Sequence, residues 1–166
     1  MLILLRHAKA EQGGFDNDHD RALTGRGRRD AAAAGQWLHE HGIGLDEVIC
    51  STSVRTQQTA EQLWESGVPE GEVHYDRRIY LASPDSLLAV VRDADPDAAV
   101  VMVVGHAPGI PALASALADG EGSREAHQLM SEGFPTCAMA VLRYSGHWTD
   151  LTESSAVLDR FHVARG

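Results

Sequence analysis

The chain of 166 residues is 43% hydrophobic and 23% charged, which fits one globular domain spanning residues 1–166 and leaves little room for a second. Fourteen basic against twenty-four acidic side chains give a net charge of −10, which excludes the electrostatic footprint of a nucleic-acid-binding or anionic-membrane-binding protein; attraction for an anion has to be local. The two cysteines, Cys50 and Cys137, form no CxxC pattern and read as reduced structural thiols of a cytoplasmic protein; the apolar run at the N-terminus is shorter than a signal-peptide core, and nothing later approaches a membrane span.

Leu2 to Leu5 are apolar throughout, long enough for a buried parallel strand and too short for a helix, and they run straight into Arg6 and His7. Ala10 to Arg21, rich in Gly, Asp and His with little apolar beyond Phe15, reads as a surface loop. Thr24 is a good N-cap for a helix from Gly25 to His41, and Gly42 is placed to stop it. Leu45 to Cys50 is a second strand; Ser51-Thr52-Ser53 then leads into a helix from Val54 to Ser66 with Ala60, Leu63 and Trp64 inward.

Val73 to Tyr75 and Ile79 to Leu81 read as a weaker strand or extended connection. Ser83-Pro84-Asp85 opens a helix whose core face is Leu87, Leu88, Val90 and Val91. Ala98 to Val104 is the most strongly apolar run, a central strand buried on both faces, and it ends in Gly105-His106. A helix over Pro108 to Leu117 follows, then a long polar connection from Ala118 to Pro135, a strand from Cys137 to Tyr144, and a turn at Gly146 into a last strand around Trp148 to Leu151. Thr152 to Gly166 carries no assignable pattern. Strands separated by helices predict βαβ units, hence a three-layer α/β/α architecture with a mostly parallel central sheet.

Three segments that read as buried strands lead into polar residues of one kind: Arg6 and His7 after the first, Arg55 in the first helical turn after the second, His106 after the fourth. In a parallel sheet these ends share one edge, so two arginines and two histidines converge on one crevice. Arginine suits phosphate because its planar fork donates paired charge-assisted hydrogen bonds, and the start of the helix near Val54 adds free N–H groups and a positive dipole end. A neutral imidazole is a competent nucleophile toward phosphorus, and a second, protonated imidazole stabilises charge on the equatorial oxygens. The constellation reads as phosphoryl transfer through a phosphohistidine. Taken alone, each residue also has a structural reading: a histidine hydrogen-bonded after a strand, an arginine solvated at a helix start.

Leu4-Leu5-Arg6-His7-Ala8-Lys9, then Arg21-Ala22-Leu23-Thr24-Gly25-Arg26-Gly27, then Cys50-Ser51-Thr52-Ser53-Val54-Arg55-Thr56-Gln57-Gln58-Thr59-Ala60, then Val104-Gly105-His106 resembles the histidine phosphatase superfamily, also called phosphoglycerate-mutase-like. Phe134-Pro135-Thr136 before a strand is similar too. The short chain and the Arg-His-Ala-Lys opening resemble the small SixA-type branch, which removes phosphate from phosphohistidine on proteins. The resemblance implies the histidine-phosphatase fold, with His7 taking the phosphoryl group, Arg6 and Arg55 holding its oxygens and His106 completing the pocket. It places Arg21 near the site and lets Ser51 or Thr52 present a hydroxyl or N–H to the phosphate. No metal and no cofactor is implied, and the nine histidines include no HxxxH or HxxH.

The larger members of the superfamily carry a general-acid Glu or Asp after the third strand. Here that region is Tyr80-Leu81-Ala82-Ser83-Pro84-Asp85, and Asp85 reads as a first-turn helix residue and at most a weak proton donor. An alkyl phosphate needs a proton for its leaving alkoxide, whereas the imidazole of a phosphohistidine leaves readily. The leading expectation is therefore a metal-independent phosphohistidine phosphatase, a monomer acting on a phosphorylated protein and holding a phosphate ion in its site. The alternatives are a small-molecule phosphomonoesterase of the same superfamily, for a sugar or nucleotide-related phosphate, and a non-catalytic phosphate-binding regulatory module.

Overall fold

In a computed structural model that describes residues 1–69 and 71–166, the chain forms β1 (Leu2–Arg6), α1 (Gly25–Glu40), β2 (Glu47–Cys50), α2 (Val54–Glu65), β3 (Glu72–Tyr75), α3 (Pro84–Arg92), β4 (Val101–Gly105), α4 (Gly109–Leu117), β5 (Ala118–Gly122), α5 (Arg124–Glu132), β6 (Ala138–Arg143) and β7 (Ala156–Val163). Short 3-10 turns lie at Asp18–Asp20, Arg77–Ile79 and Trp148–Asp150. The strands make one seven-stranded sheet in the order β3-β2-β4-β1-β6-β7-β5. Pairs β3–β2, β2–β4, β4–β1 and β7–β5 are parallel, and β1–β6 and β6–β7 are antiparallel. The sheet is thus mostly parallel, with its antiparallel pairs confined to the half beyond β1.

Strand pleating sorts the unbroken apolar runs into two cores. Leu2 and Leu4 join Val101, Val103, Ile110 and Leu113 on the face covered by α3 and α4, while Ile3 and Leu5 join Met102, Val104, Ala34 and Leu38 on the face covered by α1 and α2. The four apolar β1 side chains, Leu2 to Leu5, are wholly buried; each contributes roughly 2 kcal/mol by leaving water. This double burial fixes β1 and β4 at the centre and aims their carboxyl ends at one edge. Thr24 caps α1 by accepting from Gly27 N at 2.9 Å, and Gly42, at φ +64, follows its end.

The predicted polar connection from Ala118 to Pro135 is instead β5 and α5. Ala-Asp-Gly-Glu-Gly has no apolar alternation because β5 is an exposed edge strand, held by its backbone pairing to β7. A Cβ at Gly122 would stand 2.3 Å from Leu158 O. Helix α5 is capped by Ser123, which accepts from Ala126 N, and buries only Ala126 fully.

Ile79 belongs to a 3-10 turn, not a strand, because the Asp76 carboxylate accepts from Arg78 N at 2.8 Å and bends the backbone. Trp148 likewise anchors a turn in place of the expected strand, its indole donating to Ala98 O at 2.9 Å. The unassigned tail contains β7, the longest strand. A bulge opposite Val141 and Leu142 shifts its register, so Leu158 and Phe161 reach the same core although three apart.

Candidate active site

Strands β1 and β4 pair in parallel with Arg6 opposite Gly105, so the residues that follow, His7 and His106, emerge side by side with ring centroids 5.2 Å apart. On the far side of β4, Ser51 N donates to Val104 O at 3.0 Å, and the chain turns through Ser51–Ser53 so that α2 carries Arg55 over the same edge. Thr59, one turn on, accepts from Ala8 N at 3.1 Å and donates to Arg55 O at 2.7 Å, tying the exit of β1 to α2.

The His7 ring has a defined tautomer. Its Nδ1 lies 2.8 Å from Ala8 O, an acceptor, so Nδ1 holds the proton; Nε2 accepts from Arg55 Nε at 3.3 Å. Burial, with added repulsion from Arg55, Arg6 and Arg21, pushes the His7 pKa down to about 4. At neutral pH the ring is uncharged, with a lone pair on Nε2.

His106 is fixed in the opposite tautomer. Arg55 Nη2 donates to its Nδ1 at 3.2 Å, and its Nε2–H donates to Ser51 Oγ at 2.8 Å. Burial first, then His7 and Arg55, lower its pKa to about 3. The expected protonated second imidazole is therefore neutral in this structure, because it stands in a buried cluster of cations.

Arg55, 2% exposed, is the hub. Besides the two rings it engages Asp18: Nη1 donates to Asp18 O at 2.7 Å and Nη2 to Oδ2 at 3.0 Å. The same carboxylate accepts from the Tyr80 hydroxyl and from Arg21 Nε at 2.9 Å. Tyr80 and then Arg21 and Arg55 hold the Asp18 carboxyl well below the usual carboxylate range, and the bond to Asp18 raises the Tyr80 pKa. Arg6 donates to Phe134 O at 2.8 Å, while its buried Nε has no partner. Arg6, His7, Lys9, Arg21, Arg55 and His106 line a cavity of about 310 Å³, with Asp18 and Thr136 in its wall. Four cationic side chains against one carboxylate make it locally positive on an acidic protein.

Of the other residues singled out in the sequence, Arg21 lines the cavity and is tied to Asp18 and, through Nη1, to Glu11 O at 2.7 Å. Ser51 is buried behind His106, and Thr52 Oγ1 meets His19 Nε2 at 2.9 Å, outside the cavity lining. Asp85 is exposed in the first turn of α3, also outside it. Asp18 and Tyr80 were not found from the sequence. Asp18 sits in an aperiodic polar loop, where its one signal is the spacing of three to Arg21; Tyr80 lies in the segment after the third strand, where the sequence points to a carboxylate and not to a phenol. Among the described residues no cluster of three or more His, Cys, Asp or Glu is arranged to hold a metal ion, and no helix is long and apolar enough to cross a membrane.

The family described as histidine phosphatase superfamily (branch 1) matches residues 2–79. The chain is 38% identical to an uncharacterized protein of Mycobacterium leprae, over 97% of this chain and 100% of that protein. It superimposes on the proposed phosphohistidine phosphatase SixA of Nakamurella multipartitia with a TM-score of 0.86 at 38% identity, covering 98% of this chain and 95% of the other. The protein histidine phosphatase SixA complexed with tungstate has the same fold, with a TM-score of 0.79 at 18% identity over 98% of this chain and 96% of that one.

Proposed function

The chain belongs to the histidine phosphatase superfamily, in its SixA-type branch, and on that premise we propose that this phosphatase removes phosphate from phosphohistidine on a protein through a covalent phospho-His7 intermediate. The observation that carries the reading is the hydrogen bonding of Asp18: the carboxylate in the cavity wall accepts from Tyr80, Arg21 and Arg55, contacts that lower its pKa and leave it no proton to give a leaving group at neutral pH.

In the first step His7 Nε2 attacks phosphorus as the P–N bond to the substrate imidazole breaks. Nucleophile and leaving group are both imidazoles, so the exchange is nearly balanced, and a substrate ring protonated on its other nitrogen departs neutral without a proton from the enzyme. The Nδ1–H bond to Ala8 O keeps phospho-His7 in the protonated, labile form. Water then attacks phosphorus, His7 Nε2 departs with its electron pair, and the water proton leaves on inorganic phosphate or to solvent.

Arg6, with its unpartnered Nε, Arg55 and Arg21 hold the phosphoryl oxygens. His106 acts beside them: an arriving phosphate dianion favours its protonated form, and Ser51 keeps Nδ1 turned toward Arg55 and the cavity. Ser51 is thus a positioning residue. We place the activity in the cytoplasm on a monomer, a reading supported by the acidic composition and by two buried free thiols, Cys50 and Cys137, whose pKa values burial pushes up to about 12.

A phosphomonoester reading needs a proton for the leaving alkoxide, and the Tyr80 hydroxyl, which donates to the Asp18 carboxylate and lies outside the cavity lining, would have to supply it through Asp18. The experiment that separates the readings is turnover, in the presence of a chelator, of a phosphohistidine peptide beside a panel of sugar and aryl phosphates, with wild type and His7→Ala. Preference for the P–N substrate, lost in the variant, is expected; faster hydrolysis of an ester overturns the proposal in favour of the phosphomonoesterase.

A further inference from the structure

A second cavity adjoins the first and is not needed for the chemistry above. Phe134, Phe161 and Val163 floor it, with Leu129, Glu132 and Pro135 among its walls, and its volume is about 470 Å³. The aromatic rings meet edge to face at 5.0 Å, so the floor is packed and rigid, while Leu129 is 40% exposed. Arg6 lines both cavities, and the segment Phe134–Thr136 walls the groove with its first residues and the phosphate pocket with its last.

Resting on the phosphohistidine reading, we propose that this groove between α5 and β7 seats apolar side chains flanking the phosphohistidine of a protein substrate, with a substrate cation facing Glu132. The argument is continuity and charge. A phosphoryl group held at Arg6 leaves the chain that bears it lying across the Arg6 side of the rim, where the apolar groove begins. An anion, an apolar contact and a cation are then met in turn, by Arg6, by Leu129 over the Phe134–Phe161 floor, and by Glu132. A sugar phosphate fills the first position only, so the groove selects a polypeptide over a small ester.

The test uses two peptides that differ only in the residues flanking a central phosphohistidine, leucine in one and serine in the other, each with one arginine, and phosphoimidazole as a small substrate. Wild type is expected to favour the leucine peptide about tenfold in kcat/KM, through KM, as one seated aliphatic side chain allows. Leu129→Asp, a change at an exposed position, is expected to erase that preference while phosphoimidazole turnover stays within about twofold, and Glu132→Lys to raise KM for both arginine-bearing peptides. Equal rates on the two peptides by wild type, or an equal loss on all three substrates in Leu129→Asp, overturn the groove and leave the function reading intact. Wild type inactive on both peptides and on phosphoimidazole overturns the function reading and the groove with it. A concentration-dependent dimer abolished by Leu129→Asp assigns the groove to a second copy and also overturns the proposal.

Discussion

Arg55 donates through Nε to Nε2 of His7 at 3.3 Å, and the bond settles which ring nitrogen holds the lone pair. With Nδ1 donating to Ala8 O, the ring is aligned and uncharged before any substrate arrives. The kcat/KM profile for a phosphohistidine peptide should therefore be level from about pH 8 down to about 5 on the enzyme side and fall as His7 is protonated near pH 4, after subtraction of uncatalysed acid hydrolysis. An enzyme inflection at 6.5 would mean that the nucleophile is a solvated imidazole and not this one. His7→Ala should lose on the order of a thousandfold or more.

On the proposed function, Asp18 competes with phosphate for the same guanidinium groups. Its carboxylate takes Arg55 Nη2 at 3.0 Å and Arg21 Nε at 2.9 Å, so an incoming dianion meets a like charge and donors already engaged. Asp18→Asn keeps the size and one acceptor oxygen but removes the charge. Inorganic phosphate, read as a competitive inhibitor, should bind on the order of five- to tenfold tighter to the variant. Weaker binding would show instead that Asp18 serves mainly to hold the guanidiniums in place.

How far the sequence reaches follows from which forces act locally. The buried strands β1 and β4 were legible because double burial demands an unbroken apolar run, and the starts of α1 and α3 because Thr24 and Ser83 bond their own helices. Arg6, His7, Arg55 and His106 share one cavity, as strand-end reasoning anticipated. The other half of the sheet was illegible for physical reasons. β5 pairs through its backbone with no apolar side of its own, and β7 has its alternation broken by a bulge. Asp18 reaches Arg55 across 37 residues, and Tyr80 reaches Asp18 across 62, distances over which a single sequence has no periodicity to read.

The two buried rings also link stability to pH. An unfolded imidazole titrates near 6.5, whereas His7 and His106 titrate near 4 and 3 in the fold. Between those values the unfolded chain binds more protons, so the contribution is whole above about pH 6.5 and is lost as pH falls toward 4 and 3. From pH 7 to pH 5 each ring accounts for about 2 kcal/mol of lost stability. His106→Asn, which cannot titrate, should show a fall in urea-unfolding free energy over that interval smaller by about that amount. An unchanged fall would mean that the His106 ring is hydrated in solution.

Gly27 controls the approach of α1 to the segment that follows His7. A Cβ there would stand 2.1 Å from Lys9 O, the oxygen that accepts from Thr24 N at 2.9 Å and from Thr24 Oγ1 at 3.2 Å. Something must move. Helix α1 is anchored by Ala31, Ala34 and Leu38 in the core, while Lys9 is exposed, so the strand exit yields and takes with it Ala8, whose carbonyl fixes the His7 tautomer. Gly27→Ala should cost about 1–3 kcal/mol of stability and lower kcat/KM by about tenfold or more, as expected for a misplaced reacting group. Gly25→Ala is the control: two residues earlier in the same turn, its Cβ would meet only Arg29 Nη1, at 3.8 Å, and should leave activity unchanged. If calorimetry and turnover place the two variants together, the close contact between Gly27 and Lys9 does not exist in solution, and the fixed tautomer of His7 would need another support.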